Sequence, residues 1–237
     1  MPEPPSSSRL RIASYNIRKA VGLDWRRDPG RILDVLAEID ADVVALQEAD
    51  KRLAPRPGVL PIDRLRDELG YDFADLAPND QSHGWHGNAL LYRKGLLRPA
   101  HTRRLILPAF EPRGAVAVGF DAPRFDLLGV HLGLTAGTRA RQLKALRADM
   151  ADQDHPVIVA GDFNMWRGAD SFEAVFGPDL TLLEPGPSFH AARPTACLDR
   201  FILSHPDLPH SVHVHHSPRA ARASDHLPIV LDIDLPR

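Results

Sequence analysis

Polar side chains recur where the apolar segments of this sequence end. Residues 157–166, VIVAGDFNMW, run from four apolar residues into Asp162 and Asn164, which stand two positions apart. Because side chains alternate across a β-strand, this spacing predicts that both groups lie on one face of a strand end. Similar polar residues end or begin other apolar segments, at Asn16, Gln47-Glu48, Asn88, His131 and Asp225-His226.

These residue types favour a particular chemistry. A carboxylate inside a sheet is costly without a partner, so such groups belong at a sheet edge where they meet one another, water or a cation. Carboxylate and carboxamide oxygens suit Mg²⁺ or Mn²⁺, whereas a zinc site would more often show closely spaced His or Cys residues. The pattern therefore predicts that Asp162 and Asn164 share a phosphate group or a divalent metal ion.

The segments that must position these residues are predicted from periodicity and turn signals. Helices are expected over 28–42, 62–70 and 138–152, with Asp28 as an N-cap and Gly70 as a left-handed residue after the second helix. Strands are expected over 9–16, 42–48, 71–76, 87–93, 114–119, 124–131, 156–163, 198–204, 210–216 and 228–235. Helices that return between strands of partly antiparallel direction predict a layered α/β sandwich.

The bulk composition limits the function classes. The chain has 237 residues, 43% of them hydrophobic, so we expect a single domain over 9–237 that follows a disordered Pro/Ser tail at 1–8. The net charge of −2 excludes an overall positive field that would draw the protein onto nucleic acid or anionic membrane. Any polyanionic substrate must therefore be held by local groups or a metal ion.

The expected location follows from cysteine usage and hydropathy. Cys197 is the single cysteine, which excludes an internal disulfide framework and fits a reducing compartment, although an exported chain can also have few cysteines. The sequence shows no signal-peptide pattern, and no run approaches the roughly 20 apolar residues of a membrane span. We expect a cytoplasmic monomer without a membrane span.

Seven segments, taken in order, resemble the endonuclease/exonuclease/phosphatase family of DNase I-like enzymes: SYNIR, ALQEAD, GNALLYR, GVHL, AGDFN, LDRFILS and SDHLPIV. Each segment alone is a weak signal, but the set covers the chain from about residue 9 to 235. The resemblance implies an α/β fold, namely a four-layered αββα sandwich of two mixed β-sheets flanked by helices, with the active site at one end. It also implies a phosphoester hydrolase that depends on a divalent metal, Mg²⁺ or Mn²⁺.

The resemblance further implies a metal site. Glu48 matches the family's chief metal carboxylate, Asn16 matches a residue that helps to place the metal or the phosphate, and Asp225 matches an acid that bears on the metal site. A divalent ion held by Glu48 would relieve charge on the phosphate oxygens and lower the pKa of bound water.

Five residues match the family's catalytic positions. Asp162 and Asn164 match the pair that orients the attacking water and holds the phosphate, and Asp199 matches the acid that pairs with His226. His131 stands where the DNase I and sphingomyelinase branches have His and the abasic-site enzymes have Tyr. Asp162 and His226 both remain candidates for the general base.

Three further residues are expected to contact the substrate: Asn88, Trp85 and Arg18. Arg18 could meet a phosphate or simply be solvated, and Trp85 lies in a loop just before Asn88. The four histidines at 210, 213, 215 and 216 are more typical of a solvated or edge strand than of a second metal site.

The substrate class remains open at this point. Aromatic residues make up 6% of the chain and its charge is slightly acidic, whereas nonspecific nucleases carry basic clusters and stacking aromatics. The favoured substrate is a small or lipid-derived phosphoester, with nucleic acid possible but not favoured. A DNA endonuclease or exonuclease is the alternative, and a basic rim gathered by the fold from Arg18, Lys19, Arg26, Arg27 and Arg113 would support it. A non-catalytic phosphate-binding protein is the alternative of another class.

Overall fold

The computed structural model describes residues 7–51, 55–109, 113–151, 153–166, 172, 175–177 and 180–236. Within them the chain forms two β-sheets of six strands each. The first sheet contains β1 (Ser7–Asn16), β2 (Val43–Gln47), β3 (Tyr71–Phe73), β4 (Ala89–Arg93), β11 (His210–Val214) and β12 (Ile229–Pro236). Its strand order is β11-β12-β1-β2-β4-β3, and β1 and β2 are its parallel pair.

The second sheet repeats this mixed arrangement. It contains β5 (Pro99–Ile106), β6 (Gly114–Asp121), β7 (Arg124–His131), β8 (Val157–Asp162), β9 (Thr181–Leu183) and β10 (Asp199–Leu203). Its strand order is β5-β6-β7-β8-β10-β9, and β7 and β8 are its parallel pair.

Three apolar layers hold the sheets and helices together. The central layer lies between the two sheets and includes Ile12 and Phe201. On the outer face of the first sheet, α1 (Pro29–Ile39) and α2 (Ile62–Glu68) pack in a second layer that contains Tyr15. On the outer face of the second sheet, α3 (Ala136–Ala151) packs in a third layer that contains Val159. The arrangement confirms the predicted four-layered sandwich of two mixed sheets and flanking helices.

Local sequence signals explain the helix ends. The Asp28 side chain accepts a hydrogen bond from the Gly30 N–H at 3.0 Å, as predicted for the N-cap of α1. Helix α1 ends at Ile39 because Asp40 adopts a left-handed conformation, three residues before the predicted range ends. Gly70 has φ +69°, as predicted for the residue that follows α2. A short helix, α4 (Ala220–Ala223), precedes β12. None of the helices among the described residues is long and apolar enough to cross a membrane.

The structure differs from the prediction at several places. The sequence does not predict β5 and β9, since β5 has no buried residue and β9 has three residues. Strand β1 begins at Ser7, where Ser7 and Ser8 pair with Pro236 and Leu235, so these two residues do not belong to a disordered tail. Residues 1–6, the rest of that predicted tail, lie outside the described residues, as does residue 152 of the predicted third helix.

The parallel pairs place the polar strand ends together. Asn16 is opposite Gln47 at the end of β1 and β2, and His131 is opposite Asp162 at the end of β7 and β8. The strand ends of the two sheets meet, because the Asn16 Nδ2 donates to Asp162 Oδ2 at 3.1 Å. One end of the sandwich therefore carries polar residues from both sheets.

Candidate active site

Asp162 is the residue on which the polar groups converge. Its Oδ2 accepts from Asn16 and lies 3.4 Å from His131 Nε2 and 3.7 Å from His226 Nε2. Asp162 is only 2% exposed, so these contacts replace the water that would otherwise surround a carboxylate. Four residues predicted for the site, from four different strands and loops, are thus brought into one cluster.

His226 is held by a second carboxylate. Its Nδ1 donates to Asp199 Oδ2 at 2.8 Å, which leaves Nε2 directed toward Asp162. Burial by itself lowers the pKa of His226, but the charge of Asp199 and its hydrogen bond, followed by the charges of Asp162 and Asp225, outweigh that effect and raise the pKa to about 9. Near neutral pH His226 is therefore a cation among carboxylates.

Two residues that the sequence reading missed position this pair. The Ser188 Oγ, which is fully buried, donates to Asp199 Oδ2 at 2.5 Å. The Phe189 ring lies 4.9 Å from the His226 ring, and the Phe189 backbone pairs with both Ala196 and His226. Neither contact has a local sequence signal, because each joins segments that are distant along the chain.

Asn164 departs from the predicted geometry. Strand β8 ends at Asp162, and Asn164 has φ +51°, so the alternation of side chains along the strand does not reach it. The physical reason is a local turn in which Asp162 Oδ1 accepts from the Asn164 N–H at 2.9 Å. The Asn164 Nδ2 then donates to the Leu132 carbonyl at 2.9 Å, which ties the loop after β8 to the loop after β7.

The predicted metal residues lie around the segment that follows β1. Glu48 contacts the Lys19 ammonium, and its backbone carbonyl accepts from the Lys19 N–H at 3.0 Å. Asp225 Oδ2 lies 3.3 Å from Arg18 Nε, and the Asn16 Oδ1 accepts from the Arg18 N–H at 3.1 Å. Each of the two predicted metal carboxylates therefore faces a positive side chain of the same segment.

A different trio has the spacing of a metal site. The ligand atoms of Asp162, Asp199 and His226, which the sequence assigned to catalysis, lie within 4.8 Å of one another, and all three residues are buried. Asp199 Oδ1 is buried without a hydrogen-bond partner. Carboxylate oxygens with a neighbouring imidazole fit a divalent cation. Among the described residues, Glu48 and Asp225 are not part of this trio.

The predicted substrate residues Asn88 and Trp85 lie on a turn next to Glu48. The two residues pair with each other, and the Gly87 carbonyl accepts from the Ala49 N–H at 2.9 Å. Asn88 is 1% exposed, and its Nδ2 donates to the Gly114 carbonyl while its Oδ1 is buried without a partner. One acceptor of Asn88 is therefore available beside the site.

The backbone around the site is strained at several non-glycine residues. Positive φ angles occur at Arg18, Lys19, Glu48 and Asn164, all of which border the cluster. Such conformations cost about 1–3 kcal/mol each and persist where surrounding contacts impose them, often at functional sites.

The four histidines near β11 lie apart from this cluster. Strand β11 is an edge strand that pairs with β12, and His215 Nε2 lies 3.2 Å from Glu38. The position of β11 at the edge of the first sheet is the one expected for these histidines.

Comparison with known proteins gives the family. Residues 13–226 match the Endonuclease/Exonuclease/phosphatase family, so the chain belongs to that family. Its members are hydrolases that act on phosphoesters, and divalent metals are common in them. An uncharacterized protein of Escherichia coli K12, YbhP, is 29% identical over 184 residues, which covers 70% of this chain and 71% of that protein.

Solved structures share the fold. An endonuclease/exonuclease/phosphatase family protein of Bacteroides thetaiotaomicron has a TM-score of 0.74 at 20% identity and covers 98% of this chain and 100% of its own. A mannosyl-6-phosphatase of the same organism has a TM-score of 0.69 at 21% identity, with 94% and 99% covered. These likenesses show the DNase I-like sandwich.

Proposed function

We propose that this protein is a divalent-metal-dependent phosphoester hydrolase whose catalytic residues are Asp162, His226, Asp199, His131 and Asn164. The observation that carries the proposal is the convergence of Asn16, His131 and His226 on one buried carboxylate oxygen of Asp162. The Asp162 carboxylate can accept a proton from a neighbouring water molecule. The flanking imidazoles can donate to a phosphate or to a leaving oxygen.

The roles within the dyad follow from its hydrogen bonds. Asp199 fixes the orientation of the His226 ring, so that Nε2 is the atom that faces the reacting groups. Because the pKa of His226 is raised to about 9, this imidazole is protonated near neutral pH in the metal-free state and is suited to contact a phosphate oxygen. Asp162 is then the better candidate for the group that accepts a proton from water.

Mg²⁺ or Mn²⁺ is the metal ion that best suits the oxygen-rich donors. Glu48, Asn16 and Asp225 are the residues that we propose to hold it, as the family resemblance implies, and Asp162 borders the same space. When bound, such an ion would neutralise charge on the phosphate oxygens and activate water. The cations that face Glu48 and Asp225 support the assignment, since they mark both carboxylates as attractive to positive charge.

We further propose a small or lipid-derived phosphoester, preferably a phosphodiester, as the substrate. Of the five residues that could form a basic rim, Arg18 and Lys19 face Asp225 and Glu48, and Arg113 donates to the His131 carbonyl at 3.3 Å. The carboxylates offset the charges of Arg18 and Lys19, so these two residues offer less positive charge to a nucleic-acid backbone. The mannosyl-6-phosphatase with a similar fold supports a small phosphoester as the substrate.

A panel of phosphoesters tests the proposal. Bis-p-nitrophenyl phosphate, glycerophosphocholine, plasmid DNA and an abasic duplex are assayed with Mg²⁺, with Mn²⁺ and with EDTA, for the wild type and for His226→Ala. Hydrolysis of a small diester should require metal, and His226→Ala should lower the rate on the order of 10²-fold while it stays folded, by circular dichroism, at the assay temperature. Equal rates with EDTA and with metal would overturn the metal assignment.

Nucleic acid as the main substrate is the outcome that would reverse the substrate preference. Duplex cleavage far more efficient than hydrolysis of every small diester, with a log–log salt slope near −0.9 per phosphate contacted, would identify a nuclease. No turnover of any substrate, combined with phosphate binding, would identify a non-catalytic member.

Glu48→Gln tests the metal residues directly. Replacing the carboxylate by an amide removes one negative charge at nearly constant shape, so metal affinity and metal-dependent activity should both fall at least about tenfold. Isothermal titration with Mn²⁺ measures the affinity, and Glu68→Gln, on the exposed face of α2, is the matched control. Unchanged Mn²⁺ affinity in Glu48→Gln would mean that the ion is held elsewhere, with the Asp162, Asp199 and His226 trio as the next candidate.

A further inference from the structure

A small hairpin beside the site displays an exposed tryptophan. Residues 21–27, here called the Trp25 hairpin, close through a bridge between Val21 and Arg27. Trp25 lies at the turn, and its side chain is 78% exposed, more than that of any other tryptophan in the chain. Large aromatic side chains usually gain stability from burial, and Trp25 gains little of it.

Backbone hydrogen bonds hold the Trp25 hairpin in place. The Trp25 N–H donates to the Gly22 carbonyl, the Gly22 N–H donates to the Arg26 carbonyl, and the Leu23 N–H donates to the Arg222 carbonyl, at 3.0, 3.0 and 3.1 Å. Trp25 itself has φ +61°, a region that a bulky residue rarely adopts. Hydrogen bonds that hold a tryptophan in an unfavourable backbone conformation and in solvent are typical of recognition rather than of packing.

Arg18 connects the tryptophan with the site. The Arg18 Cζ lies 4.4 Å from the centre of the Trp25 ring, and the Arg18 Nε lies 3.3 Å from Asp225 Oδ2. A single guanidinium therefore spans the space between the aromatic ring and the carboxylate that precedes His226. A group that stacks on Trp25 would therefore lie next to the side chain that contacts the carboxylate preceding His226.

The charged residues around the Trp25 ring determine which ligand groups can lie against it. Arg18 lies on one face of Trp25, and Arg26 and Arg27 follow it in sequence. Asp24, the acid of this turn, is bound by Arg31 at 2.7 Å, and in the described part of the chain neither Arg26 nor Arg27 has a carboxylate within 4 Å. This positive surrounding repels a quaternary ammonium headgroup and favours a planar ring attached to an anionic phosphate.

We propose that the Trp25 hairpin is a substrate subsite on which a planar aromatic group of the phosphoester, a nucleobase or an aryl ring, stacks against Trp25. The proposal rests on the proposed function, because the phosphate of the same molecule would lie at the Asp162 and His226 cluster. It narrows the substrate to small phosphoesters with a planar substituent and excludes choline-type lipid headgroups as the preferred ligand.

A binding experiment tests the subsite without relying on turnover. Affinities of adenosine 5′-monophosphate, phenyl phosphate, ribose 5-phosphate and phosphocholine are measured by calorimetry in EDTA. The nucleotide should bind about tenfold more tightly than ribose 5-phosphate, and it should quench tryptophan fluorescence. Tighter binding of phenyl phosphate as well would identify a general aromatic subsite, and preference for the nucleotide alone would identify a nucleobase subsite. Tightest binding of phosphocholine would overturn the proposal.

Two variants locate the effect. Trp25→Ala should abolish both the quenching and the tighter binding of the nucleotide relative to ribose 5-phosphate. Trp25→Phe should retain part of this binding preference because it keeps a ring. Trp166→Ala is the matched control, since Trp166 is 60% exposed and packs against Phe189 on another part of the site. Loss of the preference in Trp166→Ala but not in Trp25→Ala would contradict the assignment. If the protein hydrolyses phosphoesters but does not prefer ligands with a planar ring, the subsite is refuted and the proposed function stands. If it prefers such ligands but hydrolyses none of them, the subsite stands and the proposed function is refuted.

Discussion

The charge of His226 depends on Asp199, and Asp199→Asn makes that dependence measurable. With a pKa of about 9 against an ordinary value near 6.5, protonated His226 stabilises the metal-free fold by about 3 kcal/mol at 1.36 kcal/mol per pH unit. Because the folded-state pKa is raised, this stabilisation is fully present below about pH 6.5 and is lost as the pH rises through about 9. Asp199→Asn removes the nearest negative charge while burial of the imidazole remains.

The expected result has two parts. In EDTA, NMR titration of the His226 ring should give a midpoint above 8 in the wild type, and the midpoint should fall toward about 6.5 in Asp199→Asn. Urea unfolding should show the variant to be less stable than the wild type by about 2–3 kcal/mol at pH 6.5. As the pH rises to about 10, this difference in unfolding free energy should lose the contribution of protonated His226.

An internal reference is present in the same spectra. Burial lowers the pKa of His83 to about 4, and its Nε2 accepts from the Leu60 N–H, so its titration should not respond to Asp199→Asn. A wild-type His226 midpoint below 7, or a midpoint that Asp199→Asn leaves unchanged, would refute the reasoning that neighbouring carboxylates outweigh burial.

Three further predictions concern residues that support the site and its neighbouring loop. Ser188→Ala should lower kcat about tenfold with little change in KM. Ser188→Thr keeps the hydroxyl that donates to Asp199 and should retain most of the wild-type kcat, so equal kcat in the two variants would contradict a positioning role. Burial keeps His83 neutral in the folded state, whereas His83 is protonated in the unfolded state below about pH 6.5. The free energy of unfolding should therefore fall by about 2 kcal/mol between pH 7 and pH 5. His83→Gln should remove that part of the pH dependence in urea titrations. Gly58→Ala should destabilise the protein by about 1–3 kcal/mol in the same assay, since a Cβ there would lie 2.3 Å from the His83 ring; a stability equal to the wild type would show that the ring can move.

The fold could be predicted where local sequence signals agree with tertiary structure. The capping side chain of Asp28 and the left-handed Gly70 act within a few residues, so the helix ends near them follow from the sequence. The central strands could be predicted because both of their faces are buried, as in β8. Strand β5 escaped prediction because it is an edge strand whose hydrogen bonds to β6, rather than apolar side chains, define it.

The sequence predicts that polar strand ends meet at one end of the sandwich, but it predicts their detailed geometry less well. Parallel pairs in both sheets bring Asn16 and Asp162 to the same end, which the strand-end pattern anticipated. The side-chain alternation that motivated the shared role of Asp162 and Asn164 does not hold, because the chain turns at Asn164. Ser188 could not be found from the sequence, since its bond to Asp199 depends on the path of a loop.

Charge balance connects these observations. The overall charge of −2 gives no sign that one end of the sandwich concentrates Asp162, Asp199, Asp225 and Glu48. The chain itself supplies opposing charge, with protonated His226 among the first three carboxylates and Lys19 at Glu48. A site that needs several side-chain cations to hold its carboxylates together is one in which a divalent ion would find strong attraction, because close carboxylates repel one another unless a cation compensates them. The elevated pKa of His226 and the pairing of Lys19 with Glu48 are therefore two consequences of the same local excess of negative charge.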